Sequence, residues 1–97
     1  MLRKKLSRKQ ILLLISIPNP FNPTVTFKIK AEDYDNLQIE IFNVKGQRIK
    51  TLPVILSGVE GSITWNAENQ ASGVYFCKLV NLETKKQLAL QKVTLLK

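Results

Sequence analysis

The sequence predicts an all-β fold in which six to seven short antiparallel strands close into a sandwich or a small barrel. Three observations carry that reading. Apolar and polar residues alternate with period two in one segment after another, as strands buried on one face require. Clusters of Gly, Pro, Asn and Asp separate those segments at short intervals. After Ser16 no stretch shows a helical period. A chain of 97 residues is one domain by length and buries roughly 60 to 65% of the surface its unfolded form exposes, so one small core is expected.

The elements follow in order. Residues 24–30, TVTFKIK, place Val25, Phe27 and Ile29 on one face and Thr26, Lys28 and Lys30 on the other. The polar run AEDYDN ends that strand. LQIEIFNV resumes the alternation with Leu37, Ile39 and Ile41 inward, while Phe42 falls out of phase, so both faces of this strand are expected to be partly covered. Gly46 can take a positive φ, which makes Lys45 to Gln47 a tight hairpin turn into RIKTL. Gly58 and Gly61 separate that strand from SITW, where Ile63 and Trp65 share a face. NAENQASG is the longest polar interval of the second half and ends at Gly73, which opens the strand VYFCKLV. The last strand, QLALQKVTLLK, has Leu88 and Leu90 on one parity and Val93 and Leu95 on the other. A bulge near Gln91 or Lys92 is expected to restore its inward face. None of these strands is stable alone, so two sheets must close on Val25, Phe27, Ile39, Ile41, Ile63 and Trp65.

Residues 1–16 stand apart as a basic and then apolar leader, expected to be disordered or a vestigial signal-like segment, with the domain proper at 17–97. The order of basic and apolar blocks resembles a secretory signal, but no A-x-A-like cleavage site follows. The apolar run is also far short of the ~20 residues a membrane-spanning helix needs. The net charge of +8 is largely a property of this leader, since Arg3, Lys4, Lys5, Arg8 and Lys9 have no acid among them. From Ile17 onward ten basic residues face seven acidic ones, 10 − 7 = +3, an ordinary soluble surface.

Several functions are excluded or disfavoured by what the chain lacks. It has no histidine and a single cysteine, Cys77, so neither an internal disulfide nor a Cys/His metal cluster can form. Without histidine the usual Ser-His and Cys-His nucleophiles cannot be built, and no enzyme is expected. Glu32, Asp33 and Asp35 are close in sequence, but an acid and base pair would face across a cleft from separate elements. Asp33, Asp35 and Asn36 offer fewer oxygens than the six to eight that calcium takes. No phosphate-cradling glycine motif occurs. Phe42, Tyr75 and Phe76 fall in strands where core packing accounts for them, and no nucleic-acid partner, cofactor or small-molecule substrate is expected.

Four marks then occur in one row: PNPFNPTVTFKI at residues 18–29, LQIEIFNVKGQRIKTL at 37–52, ITWNAENQASGVYFCKL at 63–79 and KVTLLK at 92–97. Together they resemble the type A C-terminal sorting domain of the type IX (Por) secretion system of Bacteroidetes-type bacteria. The resemblance implies a small immunoglobulin-like sandwich that acts as a tag rather than as the active part of a protein. Such a tag follows a covalently fused passenger that crosses the inner membrane by its own signal. The outer-membrane secretion machinery recognises the tag, and a cysteine-peptidase-like sortase commonly removes it, leaving the passenger on the surface or in the medium. The family's opening motif falls on Pro18, Asn19, Pro20, Phe21, Asn22 and Pro23, its hairpin on Gly46 and Gln47, and its tryptophan on Trp65. Its late strand falls on Ser72, Gly73, Val74 and Tyr75, and its terminal strand on Lys92, Val93, Leu95, Leu96 and Lys97.

Two positions depart from the family pattern: Ala67 stands where a glycine often follows the Trp-Asn pair, and Cys77 where an aromatic is usual. The chain also looks like a fragment without its passenger, so its own export depends on whether residues 1–16 work as a signal. Phe21, a single aromatic between Asn-Pro pairs, is expected to tuck against the first sheet and fix where the sandwich begins. The alternative reading is a structural immunoglobulin-like assembly module resembling the domain of flagellar hook-cap proteins.

Overall fold

In a computed structural model, which describes residues 10–97, the chain forms eight strands and no helix. They are β1 (Gln10–Ile17), β2 (Thr24–Glu32), β3 (Leu37–Phe42), β4 (Arg48–Val54), β5 (Leu56–Ser57), β6 (Glu60–Asn66), β7 (Gly73–Asn81) and β8 (Lys86–Leu95). Two four-stranded antiparallel sheets result, ordered β1-β2-β6-β5 and β4-β3-β7-β8. They pack face to face as a sandwich.

The period-two pattern is realised as read. Val25, Phe27, Ile29 and Ala31 of β2 face Leu37, Ile39 and Ile41 of β3 and Tyr75, Cys77 and Leu79 of β7 across one core, all of them buried. Phe42 is only half-buried on the opposite face of β3, and the Lys78 ammonium lies 4.4 Å from its ring centroid, a cation–π contact that covers the second face.

Eight strands replace the expected six to seven. β5 is two residues long, too short to show a period. β1 is apolar without interruption from Ile11 to Ile15, so its sequence carries no alternation there, yet it pairs along the length of β2 from Gln10↔Glu32 to Ile17↔Thr26 with a bulge between Ile11 and Leu13. The segment read as a leader outside the domain therefore contributes an edge strand at Gln10–Ile17. Residues 1–9, with the basic part of that leader, lie outside the described residues.

The bulge expected in the last strand also falls elsewhere. The register of β7 with β8 shifts between Leu79 and Val80, where Leu79 pairs with Ala89 and Val80 with Gln87, so the extra residue is Leu88. From there Ala89, Gln91, Val93 and Leu95 share the inward face, and Gln91 replaces an apolar residue on it. Its side chain is satisfied across the sandwich, because the Ser16 hydroxyl of β1 donates to Gln91 Oε1 at 2.8 Å.

The β3–β4 hairpin is built by Asn43. Its Oδ1 accepts from the backbone N–H of Lys45 and Gln47, its own N–H donates to the Gln47 carbonyl, and the Gly46 N–H closes the turn on the Asn43 carbonyl. Gly46 sits at φ +82, completing a three-residue loop with a left-handed final position. A side chain there would be strained by about 1 to 2 kcal/mol.

Candidate recognition surface

Strand register brings most of the singled-out residues to one end of the sandwich. At that end β2 begins and β6 finishes, paired as Thr24↔Asn66, while β7 begins and β8 finishes, paired as Gly73↔Leu95. The β3–β4 hairpin with Gly46 and Gln47 projects from the same end, since Phe42 pairs with Phe76, and Phe76 in turn with Lys92. Glu32, Asp33 and Asp35 lie at the opposite end, the first closing β2 and the other two in the β2–β3 connection. Among the described residues no group of three or more acidic, Cys or His side chains is placed to hold a metal ion.

Residues 18–23 do not merely lead into the domain. They run beside the outer edge of β8 and bind it as a strand would. The Asn19 side chain donates from Nδ2 to the Lys92 carbonyl at 3.0 Å and accepts from the Thr94 N–H at 3.0 Å. Phe21 continues the ladder, donating its N–H to the Thr94 carbonyl and accepting from the Leu96 N–H, both at 2.9 Å. Main-chain groups of Lys92, Thr94 and Leu96 that would stand open on a sheet edge are thereby paired. Pro23 ends the strap by accepting from the Ala67 N–H at 2.8 Å.

The Phe21 side chain turns inward and is 2% exposed. Its ring meets Trp65 at a centroid distance of 5.7 Å, and Trp65 meets Tyr75 edge-on at 5.3 Å. Aromatic pairs of this kind add about 0.5 to 1.5 kcal/mol beyond the area they bury. The Tyr75 hydroxyl donates to the Ala71 carbonyl four residues upstream, tying the β6–β7 connection to the strand that follows, as tyrosine corners do in sandwiches. Gly73, at φ +149, opens β7 in a conformation essentially restricted to glycine.

The singled-out residues thus divide into two sets. Phe21, Trp65, Tyr75, Val93 and Leu95 are buried and hold this end together. Pro18, Asn19, Pro20, Asn22, Gly46, Gln47, Ser72, Lys92, Leu96 and Lys97 lie exposed on it, with Pro23, Gly73 and Val74 half-buried between them. Lys97 is anchored by its N–H to Ser72 Oγ at 3.1 Å and by its ammonium to the Glu68 carbonyl. Leu96, 54% exposed, projects apolar surface beside it.

The family model described as the secretion system C-terminal sorting domain matches residues 17–93. The chain belongs to this family. It is a C-terminal sorting signal for type IX secretion, and members of the family direct proteins to the cell surface or the medium. The flagellar hook-cap alternative finds no support. A search of curated proteins finds no match to the chain.

Both departures from the sorting-domain pattern are accommodated in the fold. Ala67 is fully buried and is not among the residues with positive φ, so no glycine is needed there. Cys77 is fully buried on the inward face of β7, between Ile41 and Gln91 in register. Burial pushes its thiol from an ordinary 9.0 up to about 12.

Two predictions arise here. The folded state keeps the Cys77 proton while the unfolded chain releases it near pH 9.0, so this contribution to stability is complete below pH 9.0 and lost as pH rises toward about 12. Urea unfolding of wild type and Cys77→Ala compared across that range is expected to differ by a slope of at most about 1.4 kcal/mol per pH unit, and the native thiol is expected to be inert to thiol reagents at neutral pH. Asn19→Ala removes both side-chain bonds to β8 and is expected to cost about 1 to 2 kcal/mol in the same assay.

Sequence reasoning missed three contributors to this end: Asn43 as the organiser of the hairpin, Ala67 as the donor that fixes the end of the strap, and Asn19 as a side-chain mimic of a strand. Only Asn43 carried a legible signal, an Asn three residues ahead of a turn glycine.

Proposed function

We propose that the type IX outer-membrane machinery reads the end of the folded sandwich on which the opening and terminal motifs meet. The observation that carries this reading is the Asn19 and Phe21 ladder on β8. It joins the start of the matched region to the strand on which that region ends and which continues past it, and leaves Lys92, Leu96 and Lys97 displayed there. Recognition then depends on folding, because the display exists only when the strap is seated.

In this reading the domain carries no catalysis, cofactor, metal or nucleic-acid partner. A passenger fused ahead of residue 17 crosses the periplasm, is carried to the surface or medium, and is separated from the tag by a sortase acting on the connecting segment. The test is a Sec-exported reporter fused ahead of the full chain. The reporter is expected at the surface or in the medium of a host with this secretion system, and in the periplasm of one without it. Retention in the periplasm of both hosts would overturn the reading.

A further inference from the structure

We propose that the outer edge of β2 is a strand-accepting site for an extended peptide, and that Gln10–Ile17 fills it in cis. The family match begins at residue 17, where β1 ends. The strand that closes this edge therefore lies outside the domain the family defines.

Among the described residues, no fully buried apolar side chain comes from β1. Such side chains, among them Phe27, Ile39, Leu79 and Val93, come from β2, β3, β7 and β8, with Phe21 of the strap and Ala67 beside them, whereas the described side chains of β1 add Ile11 and Leu14, both only partly buried, and the buried Ser16. What holds β1 along its length is main-chain pairing with β2, which any extended segment can supply.

Side chains add selectivity. Leu14 and Ser16 are opposite the inward Ile29 and Phe27, and Ile11 is opposite the buried Ala31. Ser16 donates to Gln91 Oε1 at 2.8 Å. A larger apolar residue in place of Ser16 would leave that amide without its donor where β1 and β8 meet. Ile15 and Ile17, 37% and 44% exposed, face outward and are free to vary.

The ligand is an extended segment with apolar residues at the positions of Ile11 and Leu14 and a small hydroxyl residue at that of Ser16. The chain immediately ahead of the domain is the occupant within reach. The sorting tag accordingly clasps the last residues of whatever precedes it. Only the naming of that preceding segment rests on the sorting-domain reading, and the binding assay below involves no export, so the two ideas fail separately.

The test uses the full chain carrying Ile11→Asp and Leu14→Asp, which charge the inward positions of β1 and leave the fully buried core untouched. The probe is a fluorescein-labelled peptide of residues 10–17 with a lysine tail. Saturable binding to the variant is expected, at least about tenfold weaker on wild type, whose site is filled, and weakened again when the probe carries Ser16→Leu. A folded variant that ignores the probe would overturn the proposal, as would equal binding by wild type or a variant that no longer folds, which would make β1 part of the obligatory core. Concentration-dependent dimerisation of wild type through this edge would place a second copy there and overturn the assignment in cis.

Discussion

Phe21→Ala is expected to destabilise the domain by about 3 to 5 kcal/mol, the usual cost of deleting a buried phenyl ring. Single domains of this size are stable by only about 5 to 15 kcal/mol, so the loss is a large share of the whole. The ring is 2% exposed and rests on Trp65, which in turn abuts Tyr75. Its removal opens a cavity at the one place where the strap, β6 and β7 meet. It also removes the side-chain anchor beneath the strap, leaving it held to β8 by four bonds alone, two from the main chain of residue 21 and two from the Asn19 side chain. Trp65 is the only tryptophan, so its fluorescence reports this region in a urea titration. A cost below about 1 kcal/mol would show that the ring is not an anchor.

Leu95→Asp is expected to be more damaging still. Leu95 is fully buried at the end of β8 and pairs with Gly73 on one side and Phe21 on the other. An unpaired carboxylate there belongs to the class of changes costing more than about 4 kcal/mol, enough to unfold much of the population and abolish export with it. Such a loss would not by itself identify a recognition residue, since Val93 and Leu95 are structural. The informative contrast is with their exposed neighbours Lys92, Leu96 and Lys97.

The strands from β2 onward, the two-residue β5 excepted, were legible because each is buried on one face, so alternation survives in the sequence. Val25, Phe27 and Ile29, or Leu37, Ile39 and Ile41, could be placed inward without any structure. β1 was not legible, because a run of consecutive apolar residues carries no period and fits a signal segment equally well. The bulge is expected near Gln91 or Lys92 because Leu88 and Leu90 differ in parity from Val93 and Leu95, and it falls instead at Leu88 because the inward residue before Val93 is the polar Gln91. Its inward position depends on Ser16, 75 residues away in sequence, and no local pattern records that partner. The candidate surface was legible as four separate motifs. Their convergence on one end follows from strand register, and the role of Asn19 from a side chain that substitutes for backbone, neither of which composition or spacing encodes.

In the proposed function the folded end bearing the terminal strand is read as a surface, beyond its contribution to stability. The most direct measurement pairs urea unfolding with reporter export for the double variant Leu96→Ser, Lys97→Ser in the full-length fusion. Both side chains are exposed, and the change removes only the exposed bond from the Lys97 ammonium to the Glu68 carbonyl, so unfolding free energy is expected to stay within about 1 kcal/mol of wild type. Export is expected to fall by at least about tenfold, the equivalent of losing about 1.4 kcal/mol of recognition. Undiminished export from an equally stable double variant would contradict the claim.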